Sequence, residues 1–168
     1  MTPDFTSREL RDALGLFPTG IAIVATSNES ERVGITINSF ASVSMDPPLV
    51  LFSAAKSLYS YPVFEKAEGF TINLLAREQQ DLSARFARPG EDKWKELDAV
   101  PGKHGGVVLR ACLAVFDCKL YRRYDGGDHG IFVGEVVGLN TSTVHDPLIY
   151  FRSNYHQIGS GLNELKAA

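Results

Sequence analysis

Residues 111–140 decide the fold, and they read ACLAVFDCKLYRRYDGGDHGIFVGEVVGLN. Two long strand-like stretches, about 111–124 and 130–140, flank a short run that is rich in glycine and aspartate. Glycine tolerates the backbone angles of tight turns, and aspartate side chains hydrogen-bond to the turn backbone. The run therefore predicts a β-hairpin, in which the two long strands lie antiparallel.

Shorter strands extend this β-rich pattern on both sides of the hairpin. Alternating or continuous apolar runs bounded by turn residues mark these strands. They are predicted at 20–26, 33–38, 49–52, 70–75 and 148–151.

Helices are fewer and short. Thr6 and Glu9 form a capping box at the start of a helix over 7–17, which ends before Pro18. Further helices are predicted at 61–67 and 78–87, and the Gly- and Pro-rich residues 88–106 predict a long excursion around Trp94. Because strands outnumber helices and do not alternate with them, we expect a mostly β (α+β) fold, an antiparallel barrel with peripheral helices.

Size and composition are those of one globular domain. The chain has 168 residues and a mass of 18.4 kDa, so a single domain over 1–168 is expected. Hydrophobic residues make up 44% and charged residues 22%, which excludes a disordered chain. The net charge of −3 argues against a nucleic-acid partner bound through a basic surface.

The sequence also predicts the cellular location of the protein. No apolar run approaches the ~18 residues that a membrane span requires. The N-terminus lacks the basic and apolar regions of a secretory signal, so we expect no membrane partner and a cytoplasmic location.

The cysteines and histidines indicate neither a disulfide nor a metal site. Cys112 and Cys118 lie on one strand-like run, where six residues at ~3.3 Å each hold them about 20 Å apart. We therefore interpret them as buried, inert thiols. Four histidines are scattered without ligand spacing: His104, His129, His145 and His156.

A first polar cluster follows the second short strand. Its members are small and polar: Thr36, Asn38, Ser39, Ser42 and Ser44, then Ser53, Lys56 and Ser57. Hydroxyl and amide groups can hydrogen-bond the edge of a planar heterocycle, and Lys56 before a helix suits a phosphate. On residue chemistry alone, ordinary turn and capping serines beside a solvated lysine are the simpler explanation of the cluster.

A second polar cluster, Gly127, Asp128 and His129, lies in the hairpin turn. A tight turn can hold the imidazole at the mouth of a pocket, where it would meet an anionic or amide-bearing substrate. A hairpin turn uses Gly and Asp in any case, and His129 can simply begin the next strand.

The first five residues of the first cluster and all of the second belong to a longer set of motifs in a fixed order. These are FPTG (17–20), GITINSFASVSMDPPLV (34–50), GDH (127–129), FVGEV (132–136) and LIYF (148–151). In this order they resemble the short-chain flavin reductases, the reductase components of two-component flavin-dependent monooxygenases. The resemblance covers about residues 9–158.

The resemblance implies an FMN-binding split β-barrel that forms a homodimer and binds FMN or FAD. Asn38, Ser39, Ser42, Val43 and Ser44 would line the isoalloxazine. Thr36 belongs to the same cofactor-binding set. Ser53, Lys56 and Ser57 would hold the ribityl phosphate, and Phe86 and Arg88 would close over the flavin tail.

The resemblance also implies a site for the co-substrate, NADH or NADPH. His129 would be the catalytic-site residue that contacts the nicotinamide dinucleotide, with Gly127 and Asp128 in the same turn. Pro18, Thr19 and Tyr155 would lie nearby. Many relatives have Gly where this chain has Asn154, and Asn tolerates a left-handed backbone better than most residues.

The implied activity is NAD(P)H:flavin oxidoreduction, with reduced flavin diffusing to a separate monooxygenase. Hydride transfer between two stacked rings needs orientation more than acid–base groups, which agrees with the absence of a catalytic acid–base pair in the motifs. Two other functions stay open. One is a reductase of another acceptor, such as a corrinoid or ferric complex, and the other is a flavin-binding module without turnover.

Overall fold

A computed structural model describes residues 4–89, 93–143 and 146–159 of the chain. The helices are α1 (Ser7–Leu14), α2 (Tyr61–Lys66) and α3 (Gln80–Ala87), with short 3-10 turns at Arg77–Gln79 and Lys103–Gly105. The first six strands are β1 (Thr19–Gly20), β2 (Ala22–Ser27), β3 (Arg32–Ile37), β4 (Ala41–Met45), β5 (Pro48–Ala55) and β6 (Gly69–Leu74). The others are β7 (Ala99–Pro101), β8 (Val107–Leu109), β9 (Ala114–Gly126), β10 (His129–Thr141), β11 (Ile149–Phe151) and β12 (Asn154–His156).

The main sheet has seven antiparallel strands in the order β3-β2-β6-β9-β10-β5-β4. The predicted hairpin is its centre: β9 pairs with β10, and Gly126 lies opposite His129 across the turn. On its other side β10 pairs with β5, which places His129 opposite Ala55. The mostly β fold expected from the sequence is confirmed.

The core is aromatic and spans strands that are not neighbours in the sheet. Phe52 on β5 stacks on Phe132 on β10, with ring centroids 4.9 Å apart, and also meets Phe70 on β6 edge-on. Residues of β3, such as Ile35, belong to the same buried cluster as Phe52. Since β3 and β5 lie near opposite ends of the strand order, the sheet curls around this core.

A second buried cluster lies outside the first and supports the cleft described below. Phe86 on α3 packs edge-on against Trp94, with centroids 4.9 Å apart. Leu148 and Val107 belong to the same cluster.

Several boundaries differ from those predicted. The first helix ends at Leu14 rather than 17, and the long strands occupy 114–126 and 129–141. The stretch 41–45, which lies outside the predicted strands, forms edge strand β4, in which Ala41, Val43 and Met45 alternate with serines and are exposed. Residues 99–101 and 107–109 pair as a small sheet within and just after the predicted excursion.

The cysteines are both free and buried, as predicted. Only Cys118 lies on β9, however, because Cys112 precedes that strand. Burial raises the pKa of the Cys112 thiol to about 11 and that of Cys118 to about 12, so both are protonated at neutral pH.

The first helix keeps its predicted cap but not a buried face. The Thr6 and Glu9 side chains and backbone groups bond reciprocally, as the capping box requires. Leu10, Leu14 and Phe17 nonetheless remain exposed, and no residue of α1 is buried. None of the helices in the described ranges is long and apolar enough to cross a membrane.

A glycine on β3 allows the second cluster to approach the sheet closely. A Cβ at Gly34 would lie 2.6 Å from the Phe86 ring and 3.1 Å from the Trp94 ring. Gly34→Ala therefore forces two buried rings to move, which we expect to cost about 1–3 kcal/mol of the free energy of unfolding. For a chain of this size that is a fall in Tm of about 2–4 °C per kcal/mol in thermal denaturation.

The matched control is Gly20→Ala, since a Cβ at Gly20 meets nothing within 4 Å. Equal Tm values for the two variants would contradict the close approach at Gly34.

Candidate functional site

A cleft of 790 Å³ opens between β3, the loop after β5 and the end of α3. Its lining residues come from three stretches, 31–36, 57–60 and 86–94, of which the structure describes 86–89, 93 and 94. The volume is that of a site for a small organic molecule. Four predicted cofactor-binding residues lie in this lining: Thr36, Ser57, Phe86 and Arg88.

Hydrogen bonds and ring contacts among Arg32, Phe86, Lys93 and Trp94 hold one side of the cleft together. The indole N–H of Trp94 donates to the carbonyl of Arg32 at 2.8 Å, and the Arg32 guanidinium lies 5.4 Å from the centre of the same ring. The Lys93 Nζ donates to the carbonyl of Phe86 at 3.1 Å. Burial lowers the pKa of Lys93, because the low-dielectric surroundings disfavour its charged form.

The cleft is locally positive although the chain is negative. Its described lining carries Arg32, Arg88 and Lys93 against one carboxylate, Glu31, while the net charge of the chain is −3. Converging cations in a partly enclosed space attract anionic groups such as phosphates.

Part of the serine-rich cluster is already engaged by the protein. Thr36 Oγ1 donates to the carbonyl of Ser83 at 2.6 Å, which ties β3 to α3. Ser39 Oγ bonds both backbone groups of Ser53, accepting from its N–H at 3.0 Å and donating to its carbonyl at 3.2 Å. These bonds fix the backbone of the cluster.

The remaining members of that cluster lie along the exposed edge of the sheet. Asn38 is exposed, and Ser42, Val43 and Ser44 belong to edge strand β4. None of these four side chains is in the described lining of the cleft. These four residues therefore form a serine-rich surface outside the described lining of the cleft, close in the chain to the cleft residue Thr36 on β3.

The two polar clusters meet at one end of the β5–β10 pair. The Lys56 N–H donates to the carbonyl of Asp128 at 2.9 Å, and the Lys56 ammonium forms an ion pair with Asp125. The Asp128 side chain also forms a hydrogen bond with His129, whose Nδ1 lies 2.7 Å from Asp128 Oδ1. The hairpin tip is thus bonded to the predicted phosphate-binding segment, a proximity that sequence separation concealed.

The exposed contacts with Lys56 and His129 shift the pKa of each acidic partner. The hydrogen bond from Lys56 lowers the pKa of Asp125 and in return raises that of Lys56. The hydrogen bond with His129 lowers the pKa of Asp128. Both carboxylates are ionised at neutral pH and hold their partners in place.

The residues predicted to lie near the nicotinamide fall into two groups. His129 is in the hairpin, whereas Thr19 and Tyr155 flank Tyr150 in the small sheet β1-β11-β12. The Tyr155 hydroxyl lies 3.0 Å from Ser83 Oγ, and Thr19 Oγ1 is buried without a hydrogen-bond partner. Pro18 is exposed just before β1.

The turn before Tyr155 differs from the expected one. Its left-handed residues are Arg152 (φ 48°) and Ser153 (φ 61°), while Asn154 lies in β12 and its amide donates to the Arg152 carbonyl at 2.8 Å. Asn154 therefore closes the turn with its side chain rather than adopting the left-handed conformation.

Sequence patterns missed the outer part of the cleft. Arg32, Tyr59 and Lys93 lie in its lining without belonging to a motif. Trp94 was visible only as the aromatic centre of the excursion, and its contact with β3 joins residues far apart in the chain.

Comparison with known proteins identifies related chains. Residues 14–159 match the family described as flavin reductase like domain. The reductase component of the flavin-dependent trigonelline monooxygenase of Acinetobacter baylyi is 43% identical over 149 residues, which are 88% of this chain and 48% of that protein. The FMN reductase (NADH) SmoA of Agrobacterium fabrum is 46% identical over 131 residues, 78% of this chain and 75% of SmoA.

A solved structure has the same fold. The NADH:FAD oxidoreductase SgcE6 of Streptomyces globisporus, crystallised with NAD and FAD fragments, superposes with a TM-score of 0.89 at 29% identity. The match covers 96% of this chain and 98% of that one.

Paired substitutions test the ion pairs at the hairpin. We expect Lys56→Ala to raise the pKa of Asp125 toward its ordinary value of 3.8, since the hydrogen bond from Lys56 is the main cause of its lowering. Asp128 should change much less, because its pKa is lowered chiefly by His129. His129→Ala should reverse the pattern, and carbon NMR titration of the carboxyl groups measures both.

The lowered pKa values of the two carboxyl groups also make the stability of the fold depend on pH. A carboxyl whose pKa is lowered on folding stabilises the fold above its unfolded pKa, and that stabilisation is lost as the pH falls through the folded pKa. An Asp125 pKa unaffected by Lys56→Ala would show that the two side chains do not pair in solution.

Proposed function

This chain belongs to the flavin reductase-like family, as its motifs predicted, and we propose that it is an NAD(P)H:flavin oxidoreductase. In this role it transfers hydride from NADH or NADPH to FMN or FAD and supplies the reduced flavin to a separate monooxygenase. The family match over residues 14–159 carries the proposal. Relatives named as an FMN reductase and as a monooxygenase reductase component support it.

The residues present fit a flavin. Hydroxyl donors and an amide on the serine-rich surface suit the polar edge of an isoalloxazine ring, and the exposed Val43 suits its apolar face. We assign the ring to Asn38, Ser39, Ser42, Val43 and Ser44. We assign the ribityl phosphate to Ser53, Lys56 and Ser57, and the flavin tail to the cleft residues Thr36, Phe86 and Arg88.

The protein's own contribution is orientation and exclusion of water. When bound, the flavin supplies the hydride acceptor. His129 holds the dinucleotide through a ring fixed by Asp128, with Gly127 allowing the turn, whose φ there is 76°. Tyr155, Thr19 and Pro18 border the same co-substrate, and donors on the serine-rich surface stabilise negative charge at the ring edge.

We also propose a split barrel and a homodimer with the flavin site at or near the subunit interface. The curled sheet supports the barrel, because β3 and β5 share one core. Edge strand β4 supports the dimer, since it presents unpaired backbone groups, and Met45 on it is 90% exposed. Sedimentation velocity at micromolar concentration should give a dimer; a monomer that reduces flavin at full rate would overturn this arrangement.

The location proposed for the enzyme is the cytoplasm. NADH and NADPH are available there, and two free, buried cysteines agree with a reducing compartment.

One assay tests the activity directly: NADH or NADPH oxidation with FMN, FAD or riboflavin added in turn. Steady consumption of the nicotinamide on adding free flavin supports the proposal. Binding of flavin without consumption would instead indicate a flavin-binding module. A flavin retained through purification and reoxidised only by a corrinoid or ferric complex would indicate a reductase of that acceptor.

Lys56→Ala should weaken FMN and FAD much more than riboflavin. The Lys56 ammonium has three N–H donors, so it can bond a phosphate while remaining paired with Asp125. A charge-assisted hydrogen bond contributes ~1.5–3 kcal/mol, which is roughly a ten- to hundredfold rise in Kd. Flavin fluorescence titration measures this rise, with the exposed Lys119→Ala as the charge-matched control. Equal losses for riboflavin and FMN would place Lys56 away from the phosphate.

His129→Ala should raise the KM for NADH, with a smaller fall in kcat. The imidazole binds the dinucleotide in both the ground state and the transition state, so its loss acts mainly on binding. Flavin affinity should hardly change, because the serine-rich surface is intact. An unchanged KM together with a tenfold weaker flavin Kd would assign His129 to the flavin site.

A further inference from the structure

We infer that the outer part of the cleft binds an adenosine diphosphate group, and that this group is the distal half of FAD, so that FAD is preferred over FMN. The inference rests on the proposed flavin reductase function. It extends the predicted flavin-tail residues to three that no motif contained: Arg32, Tyr59 and Lys93.

The cleft has room for more of a flavin than its ribityl phosphate. The isoalloxazine is assigned to residues 38–44, which do not line the described cleft, so the cleft is left to the rest of the flavin. The tail would enter it at Ser57 and Arg88. A ribityl phosphate is a five-carbon chain with one anionic group, which is small for a volume of 790 Å³. The lining of the remaining volume includes Arg32 and Trp94.

The positive charge of the cleft lining suits a second phosphate. Lys56 and Ser57, at the end of β5, already provide for the phosphate that FMN and FAD share. The cleft adds Arg32, Arg88 and Lys93 against Glu31. A second phosphate, which only FAD has, would meet these cations. Burial weakens the hydration of Lys93, so an anionic partner there is favourable.

Aromatic and planar side chains lie in the lining of the cleft together with these cations. The Tyr59 side chain lies in the cleft lining although 83% of it is exposed. The Arg32 guanidinium is held over Trp94, whose indole is fixed by its bond to the Arg32 carbonyl. Purine rings stack on tyrosine and on guanidinium planes. The adenine of FAD is a purine, so it would stack on Tyr59 or on the Arg32 guanidinium.

The same chemistry occurs in NADH, which also carries adenosine diphosphate. FAD is favoured because the cleft is continuous with the segment assigned to the flavin phosphate at Ser57, whereas His129 lies at the hairpin. The two sources are separated by measuring flavin binding without NADH and NADH kinetics with riboflavin.

The experiment compares Arg32→Ala and Tyr59→Ala with the wild type in fluorescence titrations of FAD, FMN and riboflavin. We expect the wild type to bind FAD more tightly than FMN. Each variant should weaken FAD by about tenfold, the size of one lost charged hydrogen bond or one lost stacking contact, and change FMN by less than about twofold. Tyr59→Phe, which keeps the ring, should bind FAD like the wild type. Thermal denaturation checks that each variant is folded.

Three results would overturn the inference. These are equal affinity of the wild type for FMN and FAD, equal weakening of FMN and FAD by both alanine variants, and a raised NADH KM in Arg32→Ala with FAD binding unchanged. The last result would assign the cleft to the dinucleotide. The proposed function fails separately, if the wild type oxidises neither NADH nor NADPH with any flavin.

Discussion

The site depends on the antiparallel pairing of β5 with β10. This register places Phe52 opposite Phe132, so the stacked rings at the centre of the core and the polar groups at the strand ends are set by the same ladder. One end of the ladder brings Ala55 opposite His129, and the next residue, Lys56, bonds the hairpin turn. A one-residue slip would turn Phe52 away from the core and separate Lys56 from the turn.

The cleft depends on a different constraint, the close approach of α3 to β3. Gly34 leaves room for Phe86 and Trp94, and the Thr36 hydroxyl and the Trp94 indole bond across the gap. These buried contacts make the inner wall rigid. The outer side, by contrast, consists of long or exposed side chains such as Arg32 and Tyr59. A cleft built on such a rigid support is the arrangement that binding sites generally use.

The charged pairs at the hairpin orient side chains more than they stabilise the fold. The pairs Lys56–Asp125 and His129–Asp128 are exposed, and exposed ion pairs contribute little to folding. They do orient one ammonium and one imidazole at the same end of the sheet. The cations of the cleft, Arg32, Arg88 and Lys93, give a negatively charged chain a positive region, which would suit the phosphate-bearing molecules that we propose it binds.

The sequence by itself determined the hairpin, the capping box and the family, because each depends on neighbours in the chain: the turn at 126–129, the bond between Thr6 and Glu9, and the contiguous motif 34–50. Tertiary structure alone decided the edge strand β4, the contact of Lys56 with Asp125 and the place of Arg32, Tyr59 and Trp94 in one cleft. Strand patterns carry periodicity but not pairing partners, so the place of β4 at the edge of the sheet is not visible in residues 41–45. The contacts of Lys56 and of the cleft residues join positions about 30 to 70 apart in the chain. Only the folded chain brings such groups together.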